Sequence, residues 1–202
     1  MAELSRVICP FVGKPRAKTR AALDGQAPDR VEYVDVSGSP TAYFELIRRL
    51  WGEQRSFILV EHDIVPPAGA LEALEACGHS WCSAPPATRH DGSSRDLRAW
   101  TARGRKAAQL TCNRFDRALM VGLPKACVLR PGLQHWGNVA EGLLSKLERS
   151  GASCHVHLDL VTKHLARRSA ATQDARNRER TEWAIEHSSP ESLMRRHYVA
   201  RS

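Results

Sequence analysis

Ser56-Phe57-Ile58-Leu59-Val60-Glu61-His62-Asp63-Ile64-Val65-Pro66-Pro67 is the stretch that decides how this chain folds. Its apolar run fits a strand buried on both faces, the kind a parallel sheet requires. Read as one strand from Ser56 to Val65, it ends in charge and is stopped by Pro66-Pro67. Strand alternation then puts Glu61 and Asp63 on a common face. The prolines start a helix that carries Leu71, Leu74 and Cys77 at three-residue intervals.

Upstream, Arg6-Val7-Ile8-Cys9-Pro10-Phe11-Val12 reads as a first buried strand closed by Gly13-Lys14-Pro15. Residues 16–30 are polar, loop-like or weakly helical. Val31 to Val36 is β-branched and aromatic, a second strand ended by Ser37-Gly38-Ser39-Pro40. Ser39 and Pro40 suit an N-cap and a first helical position, with Phe44, Ile47, Leu50 and Trp51 forming the inward face. Downstream, Trp81 to Ala84 and Gln109 to Cys112 read as short strands, and Asp116 to Val121 as a helix. Residues 87–98 form a loop long enough to be a lid or binding segment. Val139, Leu143 and Leu147 mark a helix ended near Gly151, and Cys154 to Leu158 alternates as a strand. Strands alternating with helices predict an α/β sandwich with a mostly parallel sheet over residues 1–165. Residues 166–202 are arginine-rich and read as a basic, helical tail.

A chain of 202 residues, 42% of them hydrophobic, can bury one substantial core. No stretch approaches the roughly 20 apolar residues of a membrane span, and Met1 to Arg6 lacks a signal-peptide layout, so a cytoplasmic location is expected. The six cysteines are expected to be reduced, most of them as small buried hydrophobes. Cys77 and Cys82 have no matching second pair, which argues against a zinc knuckle. The net charge of +8 is unevenly placed: residues 31–88 carry eight acidic and three basic side chains, residues 89–130 ten basic and three acidic. A positive lobe beside carboxylates suits a metal-bridged diphosphate; it also suits simple solubility or non-specific phosphate contacts. An aromatic content of 6% and the absence of any nucleic-acid motif argue against a nucleic-acid partner. No Gly-x-x-x-x-Gly-Lys loop or Gly-x-Gly-x-x-Gly turn supports an ATPase or a dehydrogenase.

In an open α/β sheet, ligands bind beyond the carboxyl ends of the strands, where Glu61 and Asp63 fall. Two converging carboxylates are costly without a cation, and Mn²⁺ or Mg²⁺ removes that cost. A strand that merely ends in solvated charge is the competing reading, and composition does not separate the two. His155 and His157 share a strand face leading towards His164; as an alternating pair they also fit an ordinary half-exposed face.

Phe57 to Ile64, followed by a proline-started helix, resembles the acidic strand end of GT-A glycosyltransferases, usually Asp-x-Asp and here Glu-x-Asp. Val34-Asp35-Val36-Ser37-Gly38-Ser39 resembles the Val-Asp-(Asp/Asn)-Gly-Ser segment of family-two members. Small glycosyltransferase-like proteins of actinobacteria and their phages are similar in Leu71 to Ala84, Leu110 to Phe115 and His155-x-His157. The likeness covers residues 6–165. It implies a GT-A (Rossmann-like) three-layer α/β/α sandwich and a nucleotide-diphosphate-sugar donor held through a divalent metal. The nucleotide pocket would begin at Pro10, Phe11 and Lys14, with Asp35 on the base or ribose. Arg114 would contact the diphosphate, sugar or acceptor. Glu61 and Asp63 would hold the metal, completed by His157 or, second, His164. The acceptor would be a hydroxyl of a protein or glycan. Related proteins carry a catalytic aspartate shortly after a tryptophan matching Trp136. Here Trp136-Gly137-Asn138-Val139-Ala140-Glu141 lacks it, so Glu141 and Asp116, with Asp159 as a further choice, are the candidate bases. An inert GT-A-like binding protein, a basic nucleic-acid-contacting module and a different metal enzyme such as a phosphohydrolase are the alternatives.

Overall fold

The computed structural model of the chain describes residues 4–85, 112–123 and, from 143 to 165, all but 145, 148 and 158. In chain order the elements are β1 (Arg6–Phe11), α1 (Ala17–Gln26), β2 (Val31–Asp35), α2 (Ala42–Glu53), β3 (Phe57–Val60) and β4 (Ile64–Val65). They continue as α3 (Ala70–Ala76), β5 (Trp81–Ser83), β6 (Cys112–Phe115), α4 (Arg117–Gly122), β7 (His155–Val156) and β8 (Lys163–His164). Six strands form one sheet in the order β2-β1-β3-β6-β5-β7, and β4 with β8 forms a separate two-stranded ribbon. β1 is parallel to β2 and to β3, and β5 to β7; β6 runs against both its neighbours. This is a mixed, mostly parallel α/β sheet, as the alternation of strands and helices predicts.

Alternation along the central strands builds two cores. Val7, Cys9, Ile58 and Val60 face one way and bury Leu23 of α1 with Leu71 and Leu74 of α3. Ile8, Phe57 and Leu59 face the other, against Phe44, Ile47, Leu50 and Trp51 of α2, Leu119 and Met120 of α4, and the helical Leu143, Leu144 and Leu147. Helices therefore cover both faces of the sheet. Each such aliphatic or aromatic side chain contributes about 1.5–3 kcal/mol on leaving water, and the runs Val7 to Cys9 and Phe57 to Val60 are apolar and buried throughout. The Trp51 indole N–H, sunk in the second core, donates to the Leu123 carbonyl at 2.8 Å, so its one polar atom is satisfied.

Several elements differ from the sequence expectation. Residues 17–26 form a full helix, although no side chain caps it and its apolar residues follow no clear helical period. Its alanines with Lys18, Arg20, Leu23 and Gln26 are good helix formers, and burial of Thr19 and Leu23 adds tertiary support. α2 starts at Ala42, two residues after Pro40, because the Thr41 and Ala42 amides first bond back to Ser39 in a turn. α3 starts at Ala70, after a turn at Gly69 whose φ of 78° is in the left-handed region that glycine enters without penalty. β6 lies at Cys112–Phe115, later than Gln109 to Cys112, and residues 109–111 are outside the described part.

The largest departure concerns Ser56 to Val65. β3 ends at Val60, the Ile64 amide donates to the Glu61 carbonyl at 2.9 Å, and the chain turns out of the main sheet into β4. Glu61, His62 and Asp63 occupy that turn, half-exposed. Extending the strand would have carried two carboxylates between the helical layers, where desolvation is costly. Their proximity is thus a property of a tight turn, not of strand alternation.

Candidate functional site

Strand order places the site. From β1 the chain crosses through α1 to β2 on one side, then through α2 to β3 on the other side of β1. Right-handed crossovers in opposite directions put the two helices on opposite faces, as the two cores show, and the carboxyl ends of β1 and β3 are then where open α/β sheets form their ligand crevice. Phe11 and the Gly13-Lys14 bend end β1, Asp35 ends β2 opposite Phe11, and the Glu61–Asp63 turn follows β3.

The electrostatics fit that placement. Burial, and behind it the carboxylates of Asp63 and Glu61, push the thiol of Cys9 up to about 12. Burial and Glu61 likewise raise the Tyr43 phenol, whose buried hydroxyl has no hydrogen-bond partner. Both acids are therefore felt at the end of β1, where α2 begins. The Asp35 Oδ1 accepts from the Ser37 hydroxyl at 2.6 Å and the Ser37 amide at 2.9 Å. Those two bonds, the hydroxyl first, hold the Asp35 carboxylate below its usual range. It is ionised and fixed at neutral pH, on the rim beside Phe11. Pro10 is buried within β1 and contributes only backbone, while Lys14 is exposed.

The β4–β8 ribbon brings a distant segment to the acidic turn. Ile64 pairs with His164, and the Leu165 amide donates to the Asp63 carbonyl at 2.8 Å. The backbone of His164 thus sits next to Asp63.

Two of the sequence-derived candidates are used inside the fold instead. Arg114 is only 9% exposed. Its guanidinium donates to Asp116 Oδ2 at 2.7 Å, to the Ser5 hydroxyl at 3.3 Å and to the His79 carbonyl at 3.4 Å, and pairs with Glu75 at 3.5 Å. Ser5 precedes β1, so this cluster is at the amino end of the strands, away from the crevice, and Arg114 does not fit the phosphate role. Asp116 caps α4: its Oδ1 accepts from the Ala118 amide at 2.8 Å, and its Oδ2 accepts from the Ser56 hydroxyl at 3.2 Å. With both oxygens so engaged at the wrong end of the sheet, Asp116 is a helix cap and not a base for this crevice. Glu141, the other candidate base, and Trp136 are outside the described residues, as are the 87–98 loop and the 166–202 tail.

His157 keeps different company from Asp63. Its amide donates to the Ser83 carbonyl at 2.9 Å, extending the β5–β7 pairing. Its ring meets His155 edge-on at 4.7 Å, and His155 stacks on His79 at 4.5 Å. One ring nitrogen of His157 and the sulfurs of Cys77 and Cys82 lie within 4.8 Å of one another, the only grouping of three or more metal-ligand side chains among the described residues. Burial, followed by His155, lowers the His157 pKa, with Asp159 opposing, so the ring is neutral at pH 7. Cys77 and Cys82 are joined in a disulfide, which corrects the expectation of reduced thiols for these two. The turn from α3 to β5 brings them together across five positions. Cys9 and Cys112 are free and buried, as expected.

No family model matches the chain, and no curated sequence does. Among solved structures, the crystal structure of A197 from STIV is similar, with a TM-score of 0.51 and 10% identity over 82% of this chain and 87% of that one. The likeness is one of fold alone. No helix among the described residues is long and apolar enough to cross a membrane.

Proposed function

We propose that the chain is a metal-dependent glycosyltransferase of GT-A type, taking a sugar from a nucleotide-diphosphate donor to a hydroxyl of a protein or glycan. The observation that carries this reading is the reversal of strand order between β1 and β3, with the Glu61–Asp63 turn beside the end of β1 and pinned by β8. Ligands of open α/β sheets occupy that crevice. In this reading Asp35 takes the base or ribose and Phe11 and Lys14 line the nucleotide pocket. Glu61, Asp63 and His164 would hold a divalent ion, Mn²⁺ or Mg²⁺, which would supply positive charge to the diphosphate leaving group. The chain's own residues orient the nucleotide, with the two acids in the turn that follows β3.

The engagement of Asp116 and Arg114 inside the fold favours a second reading, in which the site binds a nucleotide-sugar without turning it over. Calorimetry of UDP and GDP with and without Mn²⁺ tests the donor site, and no nucleotide binding with any divalent ion would sink both readings. Transfer or hydrolysis from a panel of nucleotide-sugars then separates an enzyme from a binder. Strongly salt-dependent DNA binding without nucleotide affinity would point to the basic-module alternative instead.

A further inference from the structure

We propose that Cys77, Cys82 and His157 form a zinc site when the Cys77–Cys82 disulfide is reduced, separate from the acidic turn after β3. The three ligand atoms already lie within 4.8 Å of one another, drawn from the end of α3, from β5 and from the segment after β7. Tetrahedral zinc, with Zn–S near 2.3 Å and Zn–N near 2.0 Å, sets its ligand atoms roughly 3.5–3.8 Å apart, within that cluster's reach. The two Cα atoms are 7.0 Å apart, wider than the usual disulfide span of about 4.4–6.8 Å. Thiolates that share an ion need not approach so closely. The Nε2 of His157 is buried and makes no hydrogen bond, so the ring beside the two sulfurs carries an orphaned polar atom. Two soft thiolates with an imidazole select zinc over the Mn²⁺ or Mg²⁺ suited to carboxylates. Three protein ligands leave the fourth tetrahedral position to water.

Conversion between the two forms is a balanced exchange. A dithiol reductant gives two electrons and two protons to the Cys77–Cys82 bond and leaves as its own disulfide. Zinc then displaces the two thiol protons as it binds. The site would join α3, β5 and β7 through one ion, tying the edge of the sheet to the helix before it. It does not depend on the donor-site reading.

The test uses the full chain, divided into an oxidised sample and one reduced with a phosphine, each equilibrated with Zn²⁺ and separately with Co²⁺. The reduced chain is expected to retain one zinc more than the oxidised chain and, with cobalt, to show a thiolate-to-metal charge-transfer band that the oxidised chain lacks. Cys77→Ser with Cys82→Ser abolishes the additional zinc and the band, and His157→Ala weakens that zinc by about tenfold or more while keeping the thiolate band. Asp63→Ala leaves the reduction-dependent zinc unchanged, which separates this site from the acidic turn. Reduced wild-type chain that binds no zinc, or equal zinc in both redox forms, overturns the proposal. An unaltered affinity in His157→Ala overturns the three-ligand site. Because the oxidised and reduced samples share one sequence, failure of a variant to fold does not blur the result.

Discussion

The backbone amide of Leu165 donates to the carbonyl oxygen of Asp63 at 2.8 Å, tying the end of the described chain to the acidic turn beyond β3. One register position away, Ile64 pairs with His164. The ribbon so formed fixes the orientation of the turn, and it makes His164 the histidine whose backbone adjoins Asp63. His157 sits instead with the Cys77–Cys82 pair.

That arrangement predicts unequal effects of two histidine substitutions. His164→Ala should weaken Mn²⁺-dependent binding of UDP or GDP by about tenfold, and Asp63→Ala by on the order of a hundredfold, as loss of metal-orienting groups does. His157→Ala should leave it unchanged. Calorimetry with each variant reads the difference, and an effect of His157→Ala matching that of Asp63→Ala would return His157 to the acidic site.

Asp116→Asn should act on stability and leave nucleotide affinity alone. Asparagine keeps an Oδ1 for the Ala118 amide and caps as well as aspartate, so the cost comes from replacing the charged partner of buried Arg114, about 2 kcal/mol. Urea denaturation measures it. A variant of full stability that had lost sugar transfer would instead restore Asp116 as a catalytic group.

Phe115 joins three other aromatic rings, with centroids 5.2 Å from Phe57, 6.0 Å from Trp51 and 6.3 Å from Trp81. Since it lies on β6, the strand that ties the two parallel halves of the sheet, Phe115→Ala should cost about 3–5 kcal/mol. Thermal melting should show the drop, and a change below about 1 kcal/mol would mean that the site collapses without a cavity.

Acid should weaken the link between β1, β2 and α2. Burial by itself would raise the Glu32 carboxyl, but hydrogen bonds and charge from Arg6 and Arg49 outweigh it and leave the pKa below the ordinary 4.5. A depressed acid stabilises the fold above its unfolded value and loses that contribution as pH falls through the folded one. The stability difference between the wild type and Glu32→Gln should therefore be constant at neutral pH and shrink below about pH 4.5. Both partners are partly exposed, so the effect is small, on the order of 1 kcal/mol at most. Melting temperatures across that range provide the check; a difference that grows on acidification contradicts the assignment.

Much of the sheet is readable from residue order. β1, β2, β3 and β5 coincide with apolar or β-branched runs, and the inward face of α2 follows from the spacing of Phe44, Ile47, Leu50 and Trp51. α1 is harder to read because its good helix formers carry no clear apolar period, with only Thr19 and Leu23 buried. The run from Ser56 to Val65 misleads in one respect. Apolar patterning cannot show that the chain leaves the sheet at Glu61, since that depends on which strands lie alongside and where they stop.

The position of Glu61 and Asp63 at a strand end was determined by sequence alone, as was the buried character of Cys9 and Cys112, because burial follows from local hydrophobicity. Tertiary structure alone decided the partners of the charged and metal-ligating groups. Arg114, within β6, and Asp116, just after it, are occupied by Ser5, Glu75 and Ser56 at the far end of the sheet. Cys77 and Cys82, lacking a second pair nearby in sequence, find His157 across β5. The physical reason is range: hydrophobic periodicity is local to a few residues, whereas an ion pair or a ligand set exists only when distant segments meet.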